Sequence, residues 1–256
     1  MKRIDVSLAV VALSLAVAGF ARAEPAELKP TAKMESRSSQ KGRGDGPFGD
    51  YWWANRFLTT HLQVQALRGK TVDLVLVGDS IMHFWEWKHP ASWAKLTANR
   101  SVLNLGFGGD RTEHVLWRLE HGSLDGFTAK NIVLMIGTNN NTSKTTDPAN
   151  VAKGIEKIVS VIRAKQPTAQ LILHPIFPRG VSAASAKHAS AKARNDKTNA
   201  LIADFARKDG KIVWIDFNAQ LVDASGWVPS EIMADQIHPT DRGYDIWMAA
   251  LLPALR

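Results

Sequence analysis

The sequence predicts a single α/β domain, a three-layer α/β/α sandwich on a mostly parallel five-stranded sheet. Two observations carry that prediction. Five short apolar or β-branched runs lie at residues 72–77, 102–105, 132–136, 171–173 and 212–215, nearly continuous in apolar character as strands buried on both faces are. Helical patterns separate them, at about 111–121, 148–165, 190–208 and 241–252, and such alternation implies parallel pairing.

Taken in order, residues 1–23 are expected to form a signal peptide. Lys2 and Arg3 precede an apolar stretch over 6–20, and Ala21-Arg22-Ala23 offers a small-x-small cleavage pattern. The stretch falls short of the roughly 20 apolar residues that a spanning helix needs. The expected product is exported, periplasmic or secreted, with no stable membrane anchor after cleavage. Residues 24–50 are rich in Lys, Pro, Ser and Gly and read as a flexible tether to a domain over 51–256. That domain opens at Tyr51-Trp52-Trp53 with a helical pattern running to about Arg68. Gly210 stands where a helix would stop before the last strand, and Gly154 reads as a tolerated weak point. The Ala-, Ser- and Lys-rich stretch 180–193 reads as an exposed loop entering a helix.

Composition narrows the function classes. The 256 residues carry a formal charge of +8, and removal of the leader, with three positive charges and one negative, leaves +6. Lys and Arg are scattered, and their local cluster at 187–197 has no interleaved aromatic residue for stacking bases, so no nucleic-acid partner is expected. There is no cysteine, which removes disulfides, thiolate metal sites and cysteine nucleophiles together. His83 and His89 lack a second pair of ligands at matching spacing, so neither a metal nor another cofactor is expected.

Active sites of such sheets gather at the carboxyl ends of the strands, and four polar segments fall there. Gly78-Asp79-Ser80 places a serine after the first strand, at the start of a helical turn whose N–H groups favour negative charge. Met82 rules out the G-x-S-x-G elbow. Residues 104–110, Asn-Leu-Gly-Phe-Gly-Gly-Asp, let a backbone N–H approach a ligand unobstructed. Arg111 replaces the third glycine of a dinucleotide fingerprint. Gly137-Thr138-Asn139-Asn140 supplies an amide donor for an oxyanion. In Asp235-Gln236-Ile237-His238-Pro239-Thr240, a carboxylate three residues before an imidazole can hold its tautomer. Each segment alone also reads as a turn or cap. Together they complete the parts for acyl transfer through a tetrahedral intermediate.

These four segments resemble the sequence blocks of the SGNH (GDSL-type) hydrolases, whose fold is flavodoxin-like. The likeness is strongest to the catalytic subunits of intracellular platelet-activating-factor acetylhydrolases. It rests on Asn104-x-Gly106-x-Gly108-Gly109-Asp110-x-Thr112-x-x-Val115-Leu116-Trp117-Arg118-Leu119 and on Pro178-Arg179-Gly180. The resemblance implies Ser80 as nucleophile, His238 as base and Asp235 as its orienting group. The N–H groups of Ser80 and Gly109, with the Asn139 amide, would form the oxyanion hole. Ile81, Trp85, Arg111, Asn140 and Ile237 are the expected substrate contacts, and Trp87 shares with Trp85 the choice between site and core.

The implied activity is hydrolysis of short-chain, above all acetyl, esters of small molecules or O-acetylated carbohydrate. Two alternatives stay open: a lysophospholipase or thioesterase for longer acyl chains, and a non-catalytic carbohydrate-binding protein. A homodimer is implied by the resemblance alone. Two departures stand out: Asn140 stands where many members have Asp, as in the acetylhydrolase-like branch, and the leader and the 181–193 loop do not belong to those intracellular enzymes.

Overall fold

A computed structural model of the chain describes residues 23–33, 51–180, 182 and 184–256. Residues 1–22 of the expected signal peptide and 34–50 of the expected tether lie outside them. Five strands form one sheet: β1 (Thr71–Gly78), β2 (Val102–Gly106), β3 (Thr128–Met135), β4 (Gln170–Leu173) and β5 (Ile212–Trp214). Their order is β2-β1-β3-β4-β5 and every pairing is parallel. Among the described residues seven α-helices flank them: α1 (Trp52–Ala66), α2 (Ser80–Lys88), α3 (Pro90–Thr97), α4 (Thr112–Arg118), α5 (Pro148–Lys165), α6 (Ala186–Asp209) and α7 (Asp241–Leu251).

Alternation of side chains along each strand feeds two cores. Val75, Val77, Leu105, Ile132 and Leu134 join Val115 of α4, Ile155 and Ile158 of α5 and Ile202 of α6. Leu74, Leu76, Val133 and Met135 join Ile81 and Trp85 of α2, Leu96 of α3 and Trp247 of α7. With apolar partners on both faces, neither parity of a strand is polar, hence the continuous runs in the sequence. Local signals set the helix ends. Asp147 accepts from Ala149 N–H at 2.9 Å ahead of Pro148, and Gly210 ends α6 with φ 68°.

Three expectations are corrected. α3 has no counterpart in the sequence reading: it is a two-turn helix started by Pro90 and held by buried Ser92 and Leu96. The helix expected over 111–121 ends at Arg118 and opens into a wide turn, Leu119–Ser123, with Gly122 at φ 94°.

The third concerns the tether, whose first part is docked. Residues 26–28 make a helical turn, Thr112 Oγ1 donates to Glu27 O at 2.8 Å, Thr31 N–H donates to Glu113 O at 3.1 Å, and Lys157 Nζ donates to Leu28 O at 2.7 Å. Hydrogen bonds rather than an apolar stripe hold this strap, which explains why apolar periodicity missed it. Gly154 belongs to the same contact: a Cβ there would stand 2.6 Å from Glu27 O.

Candidate active site

β1 delivers Ser80 to the first turn of α2. Asp79 caps that helix, its Oδ1 accepting from Ile81 N–H at 3.0 Å. Burial pushes the Asp79 carboxyl up to about 6, opposed by the Ile81 hydrogen bond and by His238. Ser80 itself is 6% exposed.

The chain ahead of α7 returns to the same point. His238 Nε2 lies 2.8 Å from Ser80 Oγ, and His238 Nδ1 lies 2.5 Å from Asp235 Oδ2. Asp235 Oδ1 accepts the backbone N–H groups of His238 at 2.7 Å and Ile237 at 3.0 Å. Partial burial opposes ionisation of Asp235, but the bonds from the His238 side chain and backbone outweigh it and hold the carboxyl well below the usual range. An ionised Asp235 makes Nδ1 the donor and leaves Nε2 to accept the Ser80 hydroxyl proton. The turn that wraps Asp235 depends on Gln236 at φ 69°, a left-handed conformation unusual for a side-chain-bearing residue. It is pinned from both sides, Gln236 N–H donating to Met233 O at 2.9 Å and Gly180 N–H to Gln236 O at 3.0 Å.

The glycine segment after β2 turns at Gly109, φ 69°. Asp110 anchors it from inside: the carboxylate accepts from Trp53 Nε1 at 2.8 Å and Arg118 Nε at 2.9 Å, all fully or nearly fully buried. Asn139 Nδ2 donates to Asp110 O at 2.8 Å and lies 3.4 Å from Asp79 Oδ2, which ties the β3 end to the other two loops.

Of the expected substrate contacts, three are corrected. Trp85 is fully buried, its ring 4.8 Å from both Tyr244 and Trp247 and its Nε1 donating to Ser92 Oγ at 3.0 Å. The Ile81 side chain is equally buried in that core. Asn140 has both ends of its amide engaged, Oδ1 accepting from Thr112 N–H and Nδ2 donating to Thr112 Oγ1, each at 3.1 Å. Arg111 and Ile237 keep partial exposure beside the glycine loop and His238.

The ring that does border the site is Phe84, 4.6 Å from the His238 ring; Trp87, 51% exposed, lies 5.5 Å from Phe84 along α2. The signal for them was helical spacing: 84 and 87 follow Ser80 at i+4 and i+7, on one face of α2.

The chain matches the GDSL-like Lipase/Acylhydrolase family over residues 76–246. It belongs to that family. Among its relatives is the human platelet-activating factor acetylhydrolase IB subunit alpha2, 33% identical over 191 residues, which span 74% of this chain and 79% of that one. The bovine subunit alpha1 is 29% identical over 77% of this chain and 82% of its own. Two solved structures share the fold: a GDSL-like lipase from Bacteroides thetaiotaomicron and an acetylxylan esterase from Geobacillus stearothermophilus. The first has TM-score 0.64 and 21% identity, covering 77% of this chain and 96% of that one. The second has TM-score 0.53 and 15% identity, covering 73% and 94%. The GDSL hydrolase is thus an ester-hydrolysing enzyme on a parallel α/β sandwich.

Proposed function

We propose that this GDSL hydrolase cleaves short-chain, above all acetyl, carboxylic esters through an acyl-enzyme on Ser80. The observation that carries the reading is the unbroken chain from Asp235 Oδ2 through His238 to Ser80 Oγ. His238 Nε2 takes the hydroxyl proton as Oγ bonds to the ester carbonyl carbon. Negative charge on the carbonyl oxygen meets the N–H groups of Ser80 and Gly109 and the Asn139 amide. The protonated imidazole, held by ionised Asp235, gives its proton to the departing alkoxide. A water then follows the same route, losing its proton to Nε2 and releasing the acid.

A short acyl group is favoured by the relatives' names, acetylhydrolase among the sequences and acetylxylan esterase among the structures. Phe84 beside His238, with exposed Trp87 next to Phe84, offers an apolar surface suited to a sugar ring in the leaving group. The leader pattern of residues 1–23 supports action outside the cytoplasm. N-terminal sequencing of protein from cell fractions tests that placement: a chain starting at Glu24 in the exported fraction is expected, and an intact leader on cytoplasmic protein overturns it.

The test of function is hydrolysis of p-nitrophenyl esters of increasing chain length by the intact protein, Ser80→Ala and His238→Ala. Peak activity at acetyl to butyryl, lost in both variants, is the expected result. Activity surviving in Ser80→Ala removes the nucleophile assignment, and a peak at eight carbons or more transfers the enzyme to the lysophospholipase or thioesterase reading.

A further inference from the structure

Lys33 stands in the docked strap, far from Ser80 in sequence, and only 5% exposed. Its Nζ donates to Gly108 O at 3.2 Å and to Gly109 O at 2.9 Å, and lies 5.9 Å from the centre of the Trp52 ring. The Gly108 carbonyl belongs to the same peptide unit as the Gly109 N–H. A cation bonded to the oxygen of a peptide draws electron density from its nitrogen, so the N–H at the other end becomes a stronger donor. The Gly109 carbonyl belongs to the next unit, whose Asp110 N–H closes the turn on Phe107 O at 3.2 Å. Two consecutive carbonyls on one ammonium therefore also fix the orientation of both peptides. Little water reaches the ammonium, so its field acts at low local dielectric, where it is felt over longer range than in solvent.

We propose that Lys33 is a positioning residue for ester hydrolysis: it orients and polarises the Gly109 peptide, so that its N–H receives the oxyanion of the tetrahedral intermediate. The proposal rests on the acyl-transfer reading given above. It gives the strap a part in turnover, since Glu27 and Thr31 lead the chain to Lys33 by their bonds to Thr112 and Glu113. A strap that only braces the fold would lower stability on losing Lys33 and leave the chemical step alone.

The experiment uses the full chain with Lys33→Met, which keeps an unbranched side chain without charge, beside Lys157→Met, which loosens the other end of the strap. Both are assayed on p-nitrophenyl acetate and for melting temperature. Affinity for a methylboronic acid, which mimics the tetrahedral adduct, is measured in parallel. Lys33→Met is expected to lose about tenfold to a hundredfold in kcat, less than the 10²–10³ of removing a whole oxyanion donor. KM should stay within about twofold, and boronate affinity should fall in step with kcat. Lys157→Met is expected to melt earlier and to keep kcat.

Should Lys33→Met not fold, Lys33→Gln retains a neutral donor to the same carbonyls and is expected to show a smaller loss of the same kind. The proposal is overturned if kcat for the neutral variants stays within about twofold of the parent, if only KM moves, or if Lys157→Met loses as much kcat. Ser80→Ala separates the two levels: its residual activity would sink the functional reading itself, whereas an inactive Ser80→Ala with a fully active Lys33→Met sinks only the role of Lys33.

Discussion

Trp247 donates its indole N–H to Nε2 of His174 at 3.0 Å, and Nδ1 of the same imidazole bonds Ile215 O at 2.8 Å. The pair joins α7 to the ends of β4 and β5, and it requires a neutral ring, with the proton on Nδ1 and the lone pair on Nε2. Burial pushes the His174 pKa down to about 4, only partly offset by the Ile215 carbonyl.

The sign of the resulting pH effect follows from linkage. The unfolded chain takes up a proton on His174 below its ordinary value of 6.5, while the folded chain refuses it until about 4. Stability is therefore complete above pH 6.5 and declines as pH falls toward 4, by roughly 3 kcal/mol. Asp79 acts in the opposite sense, since its raised carboxyl contributes most below 3.8 and loses that contribution as pH rises through about 6. The informative quantity is thus the difference between the protein and His174→Gln in urea unfolding at pH 7 and pH 4.5. The stability gap between the two is expected to shrink on acidification; a constant gap would show that the folded and unfolded chains protonate His174 alike.

Asp235→Asn keeps the size of the side chain and removes the charge that selects the Nδ1–H tautomer. A loss of about 10²–10⁴ in kcat is expected on p-nitrophenyl acetate. Labelling of Ser80 by a fluorophosphonate should slow in parallel, because the same deprotonation limits both. Undiminished labelling in this variant would mean that His238 is oriented without Asp235.

Asn139→Ala removes an amide that links Asp110 O to the site. About 10²–10³ in kcat should be lost, with KM changed only a few-fold, as for a donor used in the transition state. A rise in KM at constant kcat would instead make Asn139 a ground-state contact.

Trp85→Ala tests the correction of its role. Emptying a site walled by Tyr244 and Trp247 is expected to cost about 3–5 kcal/mol in urea unfolding, while the protein that remains folded keeps its KM for acetyl esters. Trp87→Ala should do the reverse with a sugar acetate, raising KM at little cost in stability. Equal KM effects from the two would return Trp85 to the site.

What the sequence revealed and what it concealed divide along physical lines. The five strands were legible because burial on both faces leaves unbroken apolar runs. Ser80, Asp235 and His238 were legible because each sits within a few residues of the partner that defines it, a helix start for the serine and the acid for the histidine. Trp85 and Phe84 are neighbours in sequence with opposite fates, decided by Tyr244 and Trp247 of α7, which no local pattern near residue 85 announces. The strap was concealed for a related reason: its partners are backbone carbonyls and Thr112, Glu113 and Lys157, and backbone bonds leave no composition signature. Gly154, read as a weakness of α5, is the clearance that the strap needs.

Ser80 and His238 are separated by 158 positions along the chain, and β5 ends at Trp214. A ribosome working at about 5–20 residues per second therefore releases the proposed nucleophile and all five strands before it has made the proposed base. During that interval the nascent protein can assemble its sheet yet has nothing to deprotonate the serine. In the folded protein α7 seats Trp247 on His174, and the turn that precedes α7 carries His238 to Ser80. On the proposed mechanism, esterase turnover therefore reports that synthesis has run past residue 238 and that the last helix is in place.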